Sequence, residues 1–336
     1  MELKLLKGTV MKKLLAFIVV SIAMVSCYEE YLLDYPYTGI YFYLQQDVRT
    51  FVVGEGMQFK VGATLGGVRQ NKIDRNVTFT LDPELITPAR LTSMKSSSLN
   101  HVKNPTAGLT ALQQLPSGYY TLSNSTTMVI KSGQHTGTIT VKADSVAYLN
   151  DSLNTCRLST YVLPFYITKA DADTILESRR FNVVGTMFEH MLFGNYWHGG
   201  SATVNRPGLA DSTVKYYTTI PVPENRIWSL TTVGPRTLTI NSYFNTTSGS
   251  TQQMRLVLNG TNVYLGALPS SAFTFEADGP SAFNKPKLLQ DRKLYLKYKF
   301  TDPANGYVYH CTDTLTFRNR IRDGINEWQD ENEPHY

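Results

Sequence analysis

The chain has 336 residues, 42% hydrophobic, 12% aromatic and 18% charged, with a formal net charge of +5. Soluble domains carry nearer ~25% charged residues, so the surface reads as neutral-polar; without a basic run, a nucleic-acid partner is excluded. Abundant aromatic and β-branched residues exclude a disordered chain, and the length suits two domains of about 150 residues each.

Residues 1–26 read as a targeting segment. Lys12 and Lys13 form a positive start, and Leu14–Met24 is an apolar run of eleven residues. That fits a signal-peptide core and falls short of the ~20 residues that span a bilayer. Met1 and Met11 are both candidate starts. The segment holds Lys4, Lys7, Lys12 and Lys13 against Glu2, so most of the net charge leaves with it. Met24-Val25-Ser26-Cys27 resembles a bacterial lipobox. The resemblance implies cleavage before Cys27, a diacylglycerol on its thiol, and an outer-membrane, cell-surface location in which only the lipid anchor touches the membrane. Each buried CH₂ contributes ~0.8 kcal/mol to such an anchor. Residues 27–36 are then a tether. Its Tyr28-Glu29-Glu30-Tyr31 resembles the surface-export signal of lipoproteins from Sus-type (starch-utilisation-like) glycan-uptake systems. The remaining cysteines, Cys156 and Cys311, are expected as two buried thiols.

Further along, period-two alternation predicts strands almost everywhere. Val77, Phe79 and Leu81 alternate with Thr78 and Thr80; Ile139 and Val141 alternate with Thr138 and Thr140. Leu294, Leu296, Tyr298 and Phe300 alternate with Tyr295, Lys297 and Lys299, and Leu315 and Phe317 with Thr314, Thr316 and Arg318. Such runs bury one face and wet the other. Asn259-Gly260 between two such runs predicts a hairpin, because both residues tolerate φ > 0. Pro88–Leu115 is polar and reads as a long insertion or mobile loop; Asp171–Arg180 offers at most two helical turns. The expected organisation is a β-sandwich over 37–186, a second β domain over 187–322, and an exposed acidic tail over 323–336.

Several segments carry a family resemblance. Gly39-Ile40-Tyr41-Phe42, Leu115 to Leu122, Ile130-Lys131-Ser132-Gly133 and Tyr161-Val162-Leu163-Pro164 resemble the immunoglobulin-like N-terminal domain of unknown function in surface lipoproteins of Sus-type loci. Gly194, Tyr196-Trp197-His198-Gly199 and Arg322 to Trp328 resemble the calycin-like barrel domain that often follows it. The resemblance implies an all-β fold: an immunoglobulin-like sandwich, then a calycin- or lipocalin-like barrel. It also implies a barrel base in which Trp197 stacks on Arg318, or on Arg320. It supplies no catalytic site.

The residues agree in offering no catalytic motif. Paired acids such as Asp171/Asp173 and Glu331/Glu333 fall outside the strands, where a glycosidase would need them rigid. Gly-x-Ser-x-Gly is absent. Glu189-His190 with His198 lacks metalloprotease spacing, so neither metal nor cofactor is expected. Sugar binding rests on other groups: aromatic rings receive pyranose C–H faces, and amides or guanidinium bind hydroxyls. Trp228, Tyr216, Tyr217 and Tyr243, with Arg226 and Asn241, are the candidates. The expected function is non-catalytic binding of an oligo- or polysaccharide, or a supporting role in a glycan-transporter complex. The alternatives are a lipoprotein that binds a protein, and a small-molecule carrier that uses the barrel interior.

Overall fold

The computed structural model describes residues 35–154, 156, 158–216, 226–246 and 252–330. Cys27 and Tyr217 lie outside the described residues, as does the signal segment.

The first part is two facing sheets. One runs Thr174–Ile175, Gly39–Phe42, Gln58–Gly66, Thr136–Ala143, Tyr120–Leu122; the other runs Gln46–Val53, Phe181–His190, Tyr161–Ala170, Arg75–Leu81, Thr127–Ile130. The alternating residues Phe59, Val61, Ala63 and Leu65 of one sheet meet Phe51, Val77, Phe79 and Phe165 of the other in one apolar core. Gln46–Val53 and Phe181–His190 pair in parallel, which brings the turn after Val53 beside the start of the second part.

The segment after Leu81 corrects the mobile-loop expectation. Pro88–Lys95 and Asn100–Thr106 are helices. Thr87 caps the first, its hydroxyl oxygen accepting the Arg90 N–H at 3.1 Å, a contact typically worth ~1 kcal/mol. Leu91, Met94, Val102, Leu109 and Leu112 pack on Val48, Val162 and Val183, the outer side of the second sheet. Each helix presents so few apolar positions that no periodicity shows in the sequence. Asp171–Arg180 holds a two-residue strand, Thr174–Ile175, and a 3-10 turn, Glu177–Arg179.

The second part is a strand meander that closes on itself. Gly194–Asn205, Arg226–Gly234, Thr237–Ile240, Met254–Asn259, Asn262–Ala267, Ser281–Phe283, Lys293–Thr301 and Val308–Arg322 pair in sequence order, all antiparallel, and the first pairs with the last. Closure removes the sheet edges that would otherwise remain unpaired. Inward residues Tyr196, Trp228, Leu256, Leu294, Leu296, Tyr298 and Leu315 fill the interior. Ser212–Tyr216 adds a short strand on Gly194–Asn205. The exposed-tail expectation is corrected over 323–330. Asp323 and Gly324, with φ of 52° and 80°, form a tight turn into the strand Ile325–Glu327, which pairs back on Val308–Arg322.

The two parts are joined by buried charge. Glu55, in the turn after Gln46–Val53, reaches the barrel base: Oε1 accepts from Arg292 at 2.6 Å, and both oxygens accept from Arg320 at 2.8 Å. Burial alone would raise the Glu55 pKa, but the Arg320 hydrogen bonds and charge, with Arg292, reverse this and hold it below the ordinary value. Arg292 also donates to the Met191 carbonyl at 2.6 Å. Gly194 allows the closest approach here: with φ at +132°, a Cβ would meet Arg320 Cβ at 2.8 Å and the Asn319 carbonyl at 2.9 Å.

Candidate functional site

The sequence-nominated aromatics among the described residues turn toward the barrel interior. Trp228 is fully buried. Its indole stacks on His198, ring centroids 3.6 Å apart and planes 10° apart, and its Nε1–H donates to the Thr246 carbonyl at 3.1 Å. With no open face, Trp228 is corrected from a sugar platform to an interior residue, because it alternates with outward Ile227 and Ser229. Tyr216 is half-buried and donates to Asp313 Oδ1 at 2.7 Å. Tyr243 is half-buried among Phe273, Phe275 and Phe300. Arg226 donates to the Asn245 side chain at 2.9 Å. These four do not gather into one open surface.

Around Trp228 lies a polar knot. Tyr216 and Tyr298 both donate to the buried Asp313 carboxylate, at 2.7 and 2.8 Å, and His198 Nε2 stands 3.2 Å from it. Burial, then the neighbouring Asp313 charge, raises the pKa of both tyrosines and of Cys311. The phenols and the thiol therefore stay protonated. A protonated, buried thiol is a poor nucleophile.

The Trp197–Arg318 pair forms, with the guanidinium 4.9 Å from the indole centroid. It stands on the outer wall, which corrects the barrel-base role. Trp197 alternates with inward Tyr196 and His198, and the register shift at Asn195/Tyr196 opposite Asn319/Phe317 leaves Arg318 outside. The base is closed instead by Arg320, whose guanidinium lies 5.1 Å from the Phe193 centroid, with Arg292 and Glu55.

Beside that outer pair runs a strip of side-chain amides which the sequence did not reveal. Asn319 Nδ2 donates to Asn326 Oδ1 at 2.7 Å, Asn195 Nδ2 to Asn319 Oδ1 at 3.1 Å, and Ser229 Oγ to Asn195 Oδ1 at 2.8 Å. The Ser229 backbone N–H donates to Asn241 Oδ1 at 3.2 Å. Among the described residues, Asn241 is thus the one nominated sugar-binding residue that belongs to the strip. The row crosses five neighbouring chain segments, roughly 19 Å at ~4.8 Å per step. Each bond uses only part of an amide's hydrogen-bonding capacity, so donors and acceptors remain for a ligand. Trp328 follows the Arg320–Glu327 pair and is 58% exposed. Trp197, half-buried under Arg318, lies two residues along its strand from Asn195.

A cleft of about 620 Å³ opens at the base end of the strip, between the two parts. Asn100, His101 and Asn104 line one wall, and Phe193, Ile321 and Asp323 the other. His101 Nε2 stands 3.1 Å from Asp47 Oδ1, and Thr50 donates to Asp323 Oδ1 at 2.7 Å, so the walls are pinned. Among the described residues, no group of three or more His, Cys, Asp or Glu side chains is placed to hold a metal ion, and no helix is long and apolar enough to cross a membrane.

Residues 35–174 match a family model described as "-like, N-terminal domain". No curated protein matches the chain. Among solved structures, the chain is similar to a structural-genomics protein of unknown function from Bacteroides ovatus. The two are 16% identical, with 89% of this chain and 99% of that chain covered and a TM-score of 0.57. That likeness shows the fold. The chain is also similar, at 12% identity, to a multidomain protein including DUF1735 from Bacteroides ovatus, covering 87% of this chain and 100% of that one at a TM-score of 0.38.

Proposed function

We propose that this protein is a non-catalytic, lipid-anchored protein of the outer cell surface that binds glycan on the barrel wall, alone or within a glycan-uptake complex. The observation that carries the reading is the amide strip Asn241–Ser229–Asn195–Asn319–Asn326, with the exposed Trp328 two residues beyond its last member. Sugar hydroxyls need a row of groups that both donate and accept, and a pyranose C–H face needs an open indole. A shallow, rigid wall supplies both without ordering a loop. The strip carries no carboxylate pair, and the buried Asp313 is engaged by two phenols, which supports binding without hydrolysis. The filled interior around Trp228 and Tyr298 weighs against the carrier alternative.

Affinity electrophoresis of the full chain through gels containing single polysaccharides tests the reading. At least one polysaccharide should retard wild type, with Trp328→Ala and Asn195→Ala both migrating faster than wild type in it. Equal retardation of all three would overturn the strip as the site. Palmitate labelling that is lost in Cys27→Ala supports the anchor; equal labelling of both forms would refute it.

A further inference from the structure

We propose that the cleft between the sandwich and the barrel is a second subsite, continuous with the strip, which receives the end or a branch of the same glycan. This rests on the glycan reading of the strip. Two strands carry the connection. Asn195 lies two residues from Phe193, and Asn319 two residues from Ile321, so both strands run from the strip into the cleft wall. Two residues of strand advance the chain by only ~6.7 Å, little more than the width of one sugar ring. Ile321 is 67% exposed, pairs with Asn326 of the strip and lines the cleft, so it is an apolar step from one to the other.

The chemistry of the cleft suits a neutral, hydroxyl-rich ring. Ile321 and, on the facing wall, Leu99 supply exposed apolar surface for C–H faces, and Asn100 and Asn104 supply amides that donate and accept. Most charges at the cleft already have partners: His101 pairs with Asp47, Arg322 with Glu327, and Asp323 with Thr50 and, at 3.8 Å, Arg49; Glu189 lines the cleft as well. A charged ligand would have to compete with these contacts, whereas a neutral sugar leaves them intact. The facing wall belongs to the helical segment Pro88–Thr106, so the cleft exists only because that segment folds onto the sandwich. Its volume of about 620 Å³ lies within the range of small-molecule sites. The ligand is accordingly an oligosaccharide long enough to lie on the wall and enter the cleft.

The test is the dependence of affinity on chain length. The immobilised full chain is titrated with linear gluco-, xylo- and manno-oligosaccharides of two to eight units. In wild type, affinity should rise about tenfold or more with length and then level off. Asn104→Trp, at an exposed cleft position, fills the space; long ligands should then bind no better than short ones, with short-ligand affinity unchanged. Ser98→Trp fills the same cleft from another turn and should give the same result if Asn104→Trp fails to fold. Wild-type length dependence in both filled variants would overturn the cleft subsite and leave the strip standing. Loss of short-ligand binding in Trp328→Ala supports the strip separately. Absence of binding by every oligosaccharide in the panel would overturn both.

Discussion

The inner and outer faces of the same barrel strands do different work. On Gly194–Asn205, Tyr196 and His198 point inward and Asn195 and Trp197 outward; on Arg226–Gly234, Trp228 is inside and Ser229 outside. Inside, aromatic rings stack on one another and phenols satisfy a buried carboxylate. Outside, amides bond to one another in a row and leave capacity to spare. The contrast teaches that an aromatic residue in a strand has no role until its face is known. Trp197 and Trp228 look alike in the sequence, yet one stacks under a surface arginine and the other on a buried histidine.

The largest expected effect breaks the inner face. Trp228→Ala should cost about 3–5 kcal/mol of stability, the scale of a deleted buried aromatic, visible as a large drop in Tm. A Tm within a degree or two of wild type would mean that the interior does not depend on this ring.

The next effect comes from an interior titratable group. Burial, with the Arg292 charge, lowers the His190 pKa to about 4 from 6.5, and its Nδ1 accepts the Leu192 backbone N–H at 3.2 Å. The fold therefore holds this imidazole neutral, while the unfolded chain protonates it near 6.5. Its contribution is fully present above pH 6.5 and is lost as the pH falls from 6.5 toward 4. At ~1.4 kcal/mol per pH unit this amounts to roughly 3 kcal/mol. Wild type should lose stability between pH 7 and 4.5 more steeply than His190→Gln in paired denaturant titrations. Parallel curves would remove His190 from the account.

On the outer face the effects fall on binding. Trp328→Ala should weaken glycan binding by about 1–3 kcal/mol, the scale of a lost aromatic contact surface, with Tm unchanged. A falling Tm with unchanged affinity would place Trp328 with the interior residues. Arg318→Ala is the smallest: an exposed cation–π contact is worth ~0.5–1 kcal/mol. Thermal unfolding should shift by a few degrees at most.

Much of the strand architecture was legible because it is local. The alternation at Leu294–Phe300 and Leu315–Phe317 appears as paired strands, and Asn259-Gly260 joins two strands whose ends Asn259 and Asn262 pair. The helices over 88–106 were hidden, since their stability comes from docking Leu91, Met94 and Val102 on another sheet rather than from their own pattern. The strip was hidden for a different reason. Asn195, Ser229, Asn319 and Asn326 are scattered over more than a hundred positions. They meet only because Gly194–Asn205 pairs with both Arg226–Gly234 and Val308–Arg322 when the barrel closes. Local clustering pointed instead to Trp228 with Tyr216 and Tyr243, neighbours in sequence that face the interior.

The most direct measurement of the central claim follows the indole N–H signals of the three tryptophans. It uses NMR of the intact protein, titrated with an oligosaccharide that it binds. Trp328 should shift progressively and saturate with the binding curve, while Trp228, sealed against His198, should stay in place. A saturating shift of Trp228 with Trp328 unmoved would contradict the account and move the site into the barrel.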